Sequence, residues 1–286
     1  MAPEKSSAPE AAWVNGEADG TVSPLERGLH YGDGLFETIA CVGGRPRFLA
    51  LHLARLTLGC VRLGLGVDAA DALRSEVQQL AAQSDRAILK VLVTRGPARV
   101  RGYGTSGGEK ATRITLRYRW EPEDPRVAQY GVRVRTAALR LAENPALAGL
   151  KHCNRLEQVL ARREWTDPDV AEALMFSTAG DLISGTMSNV FLVHGSKLLT
   201  PGVDRCGVAG VMRRVVLREA AGAGIEAGEA RLTAADLARA TELFLTNALI
   251  GVRPVCAVDG QARSPGPVTR ELQQRLALRL AAGADV

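Results

Sequence analysis

The stretch EPEDPR, Glu121–Arg126, packs two prolines and three acids into six residues, and it divides a 286-residue chain into two halves of similar make-up. Such a segment suits neither a helix interior nor a central strand, so it reads as a connector between two domains. The small, polar, proline-containing start reads as a disordered tail over 1–11. That predicts an N-terminal domain over 12–120, a linker over 121–130 and a C-terminal domain over 131–286.

Each half mixes the two hydrophobic periods. In the first, a glycine-rich loop, RGLHYGDG, feeds a strand over 35–42. Leucines at 49, 53 and 56 recur at helical spacing within 48–63, a second amphipathic helix covers 71–83, and strands follow at 87–94 and 112–120. The second half opens with the strand VRVRTAAL. A helix after Lys151 has Asn154 as its cap, Glu157 three residues on, and Leu156, Val159 and Leu160 on one face. Strands AEALMFST, SNVFLVHG and KLLTP precede helices over 207–221 and 234–240, a strand and turn in LFLTNALIGV, and a closing helix over 268–281. Strands interleaved with helices in both halves predict an α/β or α+β protein.

Composition removes whole classes of function. Hydrophobic content of 46% with 23% charged residues excludes a disordered chain, and no apolar run is long enough to span a bilayer. The basic excess is almost all arginine, scattered among acids with no concentrated patch or stacking aromatics, so no nucleic-acid partner is expected. Five cysteines without C-x-x-C spacing point to packing rather than to disulfides or a metal site. No metal is expected, since the four histidines are far apart and form no H-x-x-x-H or H-E-x-x-H. The start also lacks the hydrophobic stretch of a signal peptide, so the expected location is the cytoplasm.

What remains is lysine chemistry beside anion-binding features. Of five lysines, Lys5 is in the tail, Lys90 in a strand, Lys110 after a glycine-rich loop and Lys197 in a hairpin turn. Lys151 instead stands between LAGL and the helix HCNRLEQVLA, where partial burial would lower its pKa and equip it to form a Schiff base; position alone also allows a surface lysine opening a helix. Arg55 offers a full positive charge on a helix. The run GVAGVMRR places Val208, Ala209 and Gly210 at a helix start that can present backbone N–H groups to an anion.

In order along the chain, RGLHYGDGLFET, HLARL, TRG with RGYG, LKHCNRLEQVLAR, ISGTMSNVFLV, LLTPGVDRCGVAGVMRR and FLTNALIGVRPV resemble the fold-type IV pyridoxal-phosphate enzymes. That family includes branched-chain and D-amino-acid aminotransferases and a lyase acting on 4-amino-4-deoxychorismate. The RGY and LKHxNRLEQVL segments are most similar to the lyase branch, with the aminotransferases as the alternative. The resemblance implies a smaller N-terminal α/β sandwich-like domain, a larger C-terminal pseudo-barrel that binds the cofactor, pyridoxal 5'-phosphate, and a homodimer acting on a small molecule.

Residue by residue, the resemblance makes Lys151 the lysine that carries the cofactor and Arg55 its phosphate ligand. Val208, Ala209, Asn247 and Ala248 become backbone phosphate contacts. Arg95 and Arg101 are expected to clamp substrate carboxylates, and Tyr31 and Thr38 to line the pocket. One position departs. Where the family pattern E-G-x-x-S-N has a glutamate facing the pyridine nitrogen, this chain has Ser184, which can donate a hydrogen bond but supplies no negative charge. Asp181, three residues earlier, is the other acid considered for that place.

Overall fold

The computed structural model describes residues 8–66 and 69–283, the side chains of 69–71 excepted. The chain divides into two compact units. Among the described residues, those up to Pro122 belong to the first together with Lys151–Asn154, and Glu123–Leu150 with 155–283 forms the second. Residues 1–7 of the expected tail lie outside the described residues. Order begins before residue 12, because Glu10 donates its backbone N–H to the Arg117 carbonyl at 2.7 Å and Ala11 opens the first strand.

The first unit contains β1 (Ala11–Val14), β2 (Glu17–Ala18), α1 (Arg27–Tyr31), β3 (Gly34–Val42), β4 (Arg45–Pro46), α2 (Leu49–Leu63), α3 (Ala69–Ala81), β5 (Arg86–Thr94) and β6 (Thr112–Arg119). Its six strands run in the order β2-β1-β6-β5-β3-β4, and every recorded pairing is antiparallel. Alternation in β5 sends Ala87, Leu89, Val91 and Val93 to the face covered by α2 and α3, where Leu53, Leu56, Leu73, Val77 and Leu80 are also buried. Each buried leucine contributes roughly 1.5–3 kcal/mol. The intervening residues Ile88, Lys90 and Leu92 are only half-buried on the other face.

The loop expected over RGLHYGDG is partly helical, as α1. Glu26 caps it by accepting from the Gly28 N–H, and Gly32 ends it in the left-handed region. A Cβ on Gly32 would stand 2.7 Å from Asn154 Oδ1, so the position needs glycine for both backbone and space.

In the second unit are α4 (Pro125–Tyr130), β7 (Val132–Leu141), α5 (Leu156–Arg162), β8 (Val170–Ser177), β9 (Leu182–Gly185), β10 (Asn189–His194) and β11 (Lys197–Pro201). After them come α6 (Val211–Gly222), β12 (Ala227–Ala230), α7 (Ala234–Arg239), β13 (Glu242–Asn247), β14 (Gly251–Val258), β15 (Gln261–Ala262) and α8 (Pro267–Ala281). The strands form a nine-stranded mixed sheet ordered β12-β11-β10-β13-β14-β7-β8-β9, with β15 on β14. The β7–β8, β7–β14 and β11–β12 pairs are parallel. Phe191 and Phe244, directly opposite in register, stack at 4.9 Å on one face of the sheet, while their strand neighbours Val190, Leu192, Leu243 and Leu245 belong to the aliphatic core on the other.

Two segments carry local structure that the sequence pattern did not show. The segment 121–130, expected to be a linker, contains α4, which starts with Pro125 in its first turn and has Asp124 as its cap. The helix after Lys151 is capped at Arg155 without a side-chain bond. Asn154 Nδ2 donates to the Gly32 carbonyl instead, and Glu157 accepts from Ala142 N–H at 2.8 Å. Neither side chain is left for a capping box.

Candidate active site

Lys151 is placed by main-chain hydrogen bonds. Its carbonyl accepts from Phe36 N–H at 2.9 Å, Cys153 N–H donates to the Gly34 carbonyl at 2.9 Å, and His152 bridges Leu35 in antiparallel sense. The KHC segment therefore behaves as a short additional strand along the start of β3. This fixes the half-buried Lys151 side chain with Nζ 4.2 Å from the Phe36 ring centroid.

On the opposite face of β3, Glu37 is 1% exposed. Arg55 donates Nε to Glu37 Oε1 at 2.7 Å and Nη2 to Oε2, while His52 Nδ1 lies 2.6 Å from Oε2. Burial pushes the Glu37 carboxyl upward, but the charges of Arg55 and His52 outweigh it and hold the pKa at about 2. Arg55 is thus oriented by a bidentate carboxylate, an arrangement that sequence spacing did not reveal.

The Glu37 shift carries a stability consequence. Its ordinary pKa of 4.5 falls to about 2 on folding, so its contribution is full above pH 4.5 and fades as the pH drops toward 2. The size is on the order of 3 kcal/mol. Urea unfolding of wild type and Glu37→Gln, taken from about pH 6 down to about pH 3, is expected to show a gap that narrows with acid. A gap independent of pH would refute the ion pairing.

Arg95 is not available as a substrate clamp. Nε and Nη2 bind both oxygens of Asp33 at 2.7 and 3.1 Å, and Nη1 and Nη2 reach the Gly64 and Leu63 carbonyls at the end of α2, both at 2.8 Å. Arg27 completes the network, donating Nε to Asp33 and its remaining nitrogens to the carbonyls of Gly102, Tyr103 and Gly104. Burial alone would raise the Asp33 pKa; hydrogen bonds from Arg95 and Arg27 prevail and lower it. The RGYG loop is therefore tied down by its main chain, with the Arg101 side chain exposed. Tyr31 packs between Arg27, 5.0 Å above its ring, and Tyr103, 5.2 Å away. Thr38 lies half-buried on the same face of β3 as Phe36.

The remaining candidates belong to the second unit. Ser184, on β9 opposite Met175, is buried. Asp181 pairs with Arg231, so its carboxylate is already engaged. A residue not foreseen, the buried Glu172, accepts from the N–H groups of Thr186 and Met187 and from the hydroxyls of Thr186 and Ser188; it fixes the turn after Ser184. Asn189 Nδ2 holds the Val208 carbonyl at 2.9 Å. Asn247 Nδ2 donates to the Met187 carbonyl and its Oδ1 accepts from Leu249 and Ile250, which shapes the turn containing Ala248.

At the start of α6 the expectation needs one correction. Ala209 N–H donates to the Gly149 carbonyl at 3.0 Å, because 149 and 208 pair as a parallel bridge, so this donor is directed at the chain itself. Gly210 caps α6 without a side-chain bond, leaving first-turn N–H groups without intrahelical acceptors. A Cβ at Gly210 would fall 2.0 Å from Asn189 Oδ1, which keeps this approach open only to glycine. A cavity of about 430 Å³ lined by Thr136, Arg140, Phe176, Asp259 and Arg263, among others, contains none of the candidate residues.

Taken unit by unit, the donor types are ones that pyridoxal phosphate calls for: an amine that can meet an aldehyde at Lys151 and a guanidinium at Arg55 in the first unit, and an uncapped helix start and the Ser184 hydroxyl in the second.

Residues 34–258 match the model of the amino-transferase class IV family. The chain is 32% identical to an aminodeoxychorismate lyase of Vibrio harveyi over 92% of this chain and 98% of that protein. It is 31% identical to a putative branched-chain-amino-acid aminotransferase of Methanocaldococcus jannaschii over 91% of each. The crystal structure of 4-amino-4-deoxychorismate lyase from Pseudomonas aeruginosa superposes with a TM-score of 0.90 at 43% identity, covering 94% of this chain and 99% of that one.

Proposed function

The chain belongs to the amino-transferase class IV family, and from that premise we propose that it is a pyridoxal-phosphate-dependent lyase converting 4-amino-4-deoxychorismate to 4-aminobenzoate and pyruvate. The observation that carries this reading is the similarity to the Pseudomonas lyase along nearly the full length of both chains. Pyridoxal phosphate, when bound, would supply an electron-accepting ring. Arg55 and the N–H groups at the start of α6 hold its phosphate, and the turn at Asn247 and Ala248 adds backbone donors.

Lys151 holds the cofactor at rest and acts as the proton carrier during turnover. Its Nζ takes the proton from C4 of the substrate and returns one to the oxygen side as enolpyruvate departs from C3. Aromatisation of the substrate ring supplies much of the driving force. The chain's own contribution is then position, proton transfer and carboxylate recognition, with Arg101, Tyr31 and Thr38 on the substrate side.

Ser184 agrees with elimination more than with transamination. Transamination leans harder on the cofactor's electron-withdrawing power, which a carboxylate at this position would strengthen. Ser184→Glu is expected to raise side transamination on the order of tenfold relative to elimination, the scale of one pKa unit at the ring nitrogen. Asp181→Asn, which breaks only the pair with Arg231, is expected to move neither rate. Loss of activity in Asp181→Asn with no change in Ser184→Glu would transfer the role to Asp181.

The direct test is incubation of purified protein with aminodeoxychorismate and, separately, with L- and D-amino acids plus a keto acid. Formation of 4-aminobenzoate supports the lyase; amino transfer alone supports an aminotransferase. A homodimer forms part of the reading, supported by apolar side chains that one chain leaves in solvent. On α5, Leu156, Val159 and Leu160 are 75%, 52% and 48% exposed. A cytoplasmic location is also part of it. All five cysteines are free thiols, in keeping with a reducing compartment, and no helix among the described residues is long and apolar enough to cross a membrane.

A further inference from the structure

We propose that Lys90 is a specificity-determining residue of this site, receiving the ring carboxylate of the substrate whose amine is presented to Lys151. The inference deepens the lyase reading and rests on it. It starts from the face of the first sheet that α2 and α3 leave uncovered. Phe36 and Thr38 point to that face, and Lys90 stands directly opposite Thr38 in the β3–β5 register. Leu92, opposite Phe36, and Leu116, opposite Lys90 on β6, make its surroundings apolar.

Lys90 is half-buried there, and among the described residues its recorded interaction is with an aromatic ring rather than an anion: Nζ lies 5.8 Å from the Phe36 centroid. The same ring carries Lys151 Nζ at 4.2 Å, so the two nitrogens are no more than 10 Å apart. A six-membered ring bearing an amine at one end and a carboxylate at the other bridges a separation of this order.

The other cations already named in this unit have partners elsewhere or stand further out. Arg27 and Arg95 are bound to Asp33, and Arg55 to Glu37. Arg101 is exposed on its loop, which leaves it for the carboxylate of the enolpyruvyl group rather than that of the ring. A partly desolvated ammonium without a counter-ion is unfavourable, and a substrate carboxylate docking on this apolar face relieves that cost while it fixes orientation. Lysine suits the role because its charge rides on a flexible stem and needs no bidentate geometry.

The test uses the cofactor-loaded enzyme and its Lys90→Met and Lys90→Arg variants. Lys90→Met is expected to raise KM for aminodeoxychorismate roughly tenfold or more, with a smaller fall in kcat and an unchanged visible cofactor band; Lys90→Arg recovers most of the loss. Calorimetry with 4-aminobenzoate and with aniline supplies a binding readout. Wild type is expected to prefer 4-aminobenzoate, and Lys90→Met to lose that preference while keeping its affinity for aniline.

Wild-type turnover with an unchanged KM in Lys90→Met overturns the Lys90 assignment and leaves the lyase reading intact. Equal affinity of the wild type for the two probes, or an equal loss for both in Lys90→Met, also overturns it. A wild type that discriminates the probes through Lys90 but produces no 4-aminobenzoate overturns the lyase reading alone.

Discussion

Lys151→Ala is expected to lose lyase activity by roughly a thousandfold or more, since in the proposed function one side chain both holds the cofactor and carries the proton. The expectation draws on the ladder that pins residues 151–153 to β3 and points Nζ over Phe36. The variant should fold normally, because the pinning bonds are main-chain bonds that alanine retains. Activity is read as 4-aminobenzoate formation, and folding as an unchanged urea midpoint. In the wild type, a yellow preparation reduced with borohydride should carry its label on the peptide containing Lys151. A label on Lys90 or Lys197, or no cofactor after reconstitution, would remove Lys151 from the mechanism.

The second large effect is at Arg55. In the proposed function Arg55→Ala removes a charge-assisted contact to phosphate worth roughly 1.5–3 kcal/mol, so the expected loss of cofactor affinity is about 10- to 150-fold. The same substitution leaves Glu37 buried with His52 as its recorded partner, so the apo-protein should also lose stability. The two effects separate in Arg55→Lys, which keeps the charge but loses the two-point attachment to Glu37. It should retain cofactor better than alanine does. Equilibrium dialysis of cofactor beside thermal melts of apo-protein checks both; unchanged affinity in Arg55→Ala would make Arg55 a structural partner of Glu37 and nothing more.

Periodicity made the main elements legible. The alternation of AILKVLVT and the leucines at 49, 53 and 56 appear as β5 and α2, because burial repeats every two residues on a strand and every three to four on a helix. Short pieces escaped for the opposite reason. The strand β9 has four residues, all buried, so no polar alternation marks it. The helix α1 has five and depends on its Glu26 cap and on Gly32 rather than on any apolar stripe.

The sequence by itself determined which residue types are present to do chemistry: few lysines, a glycine-rich helix start, and a serine where the family carries an acid. Only the tertiary structure decided which of those side chains are already engaged. Arg95 and Arg55 carry the same guanidinium, and neither position announces its partner. Arg95 meets Asp33 because β5 lies against β3, and Arg55 meets Glu37 because α2 packs on the buried face of that strand. The partner of a charged side chain is set by which distant elements share a surface and how far water is excluded between them, and local pattern carries no record of either.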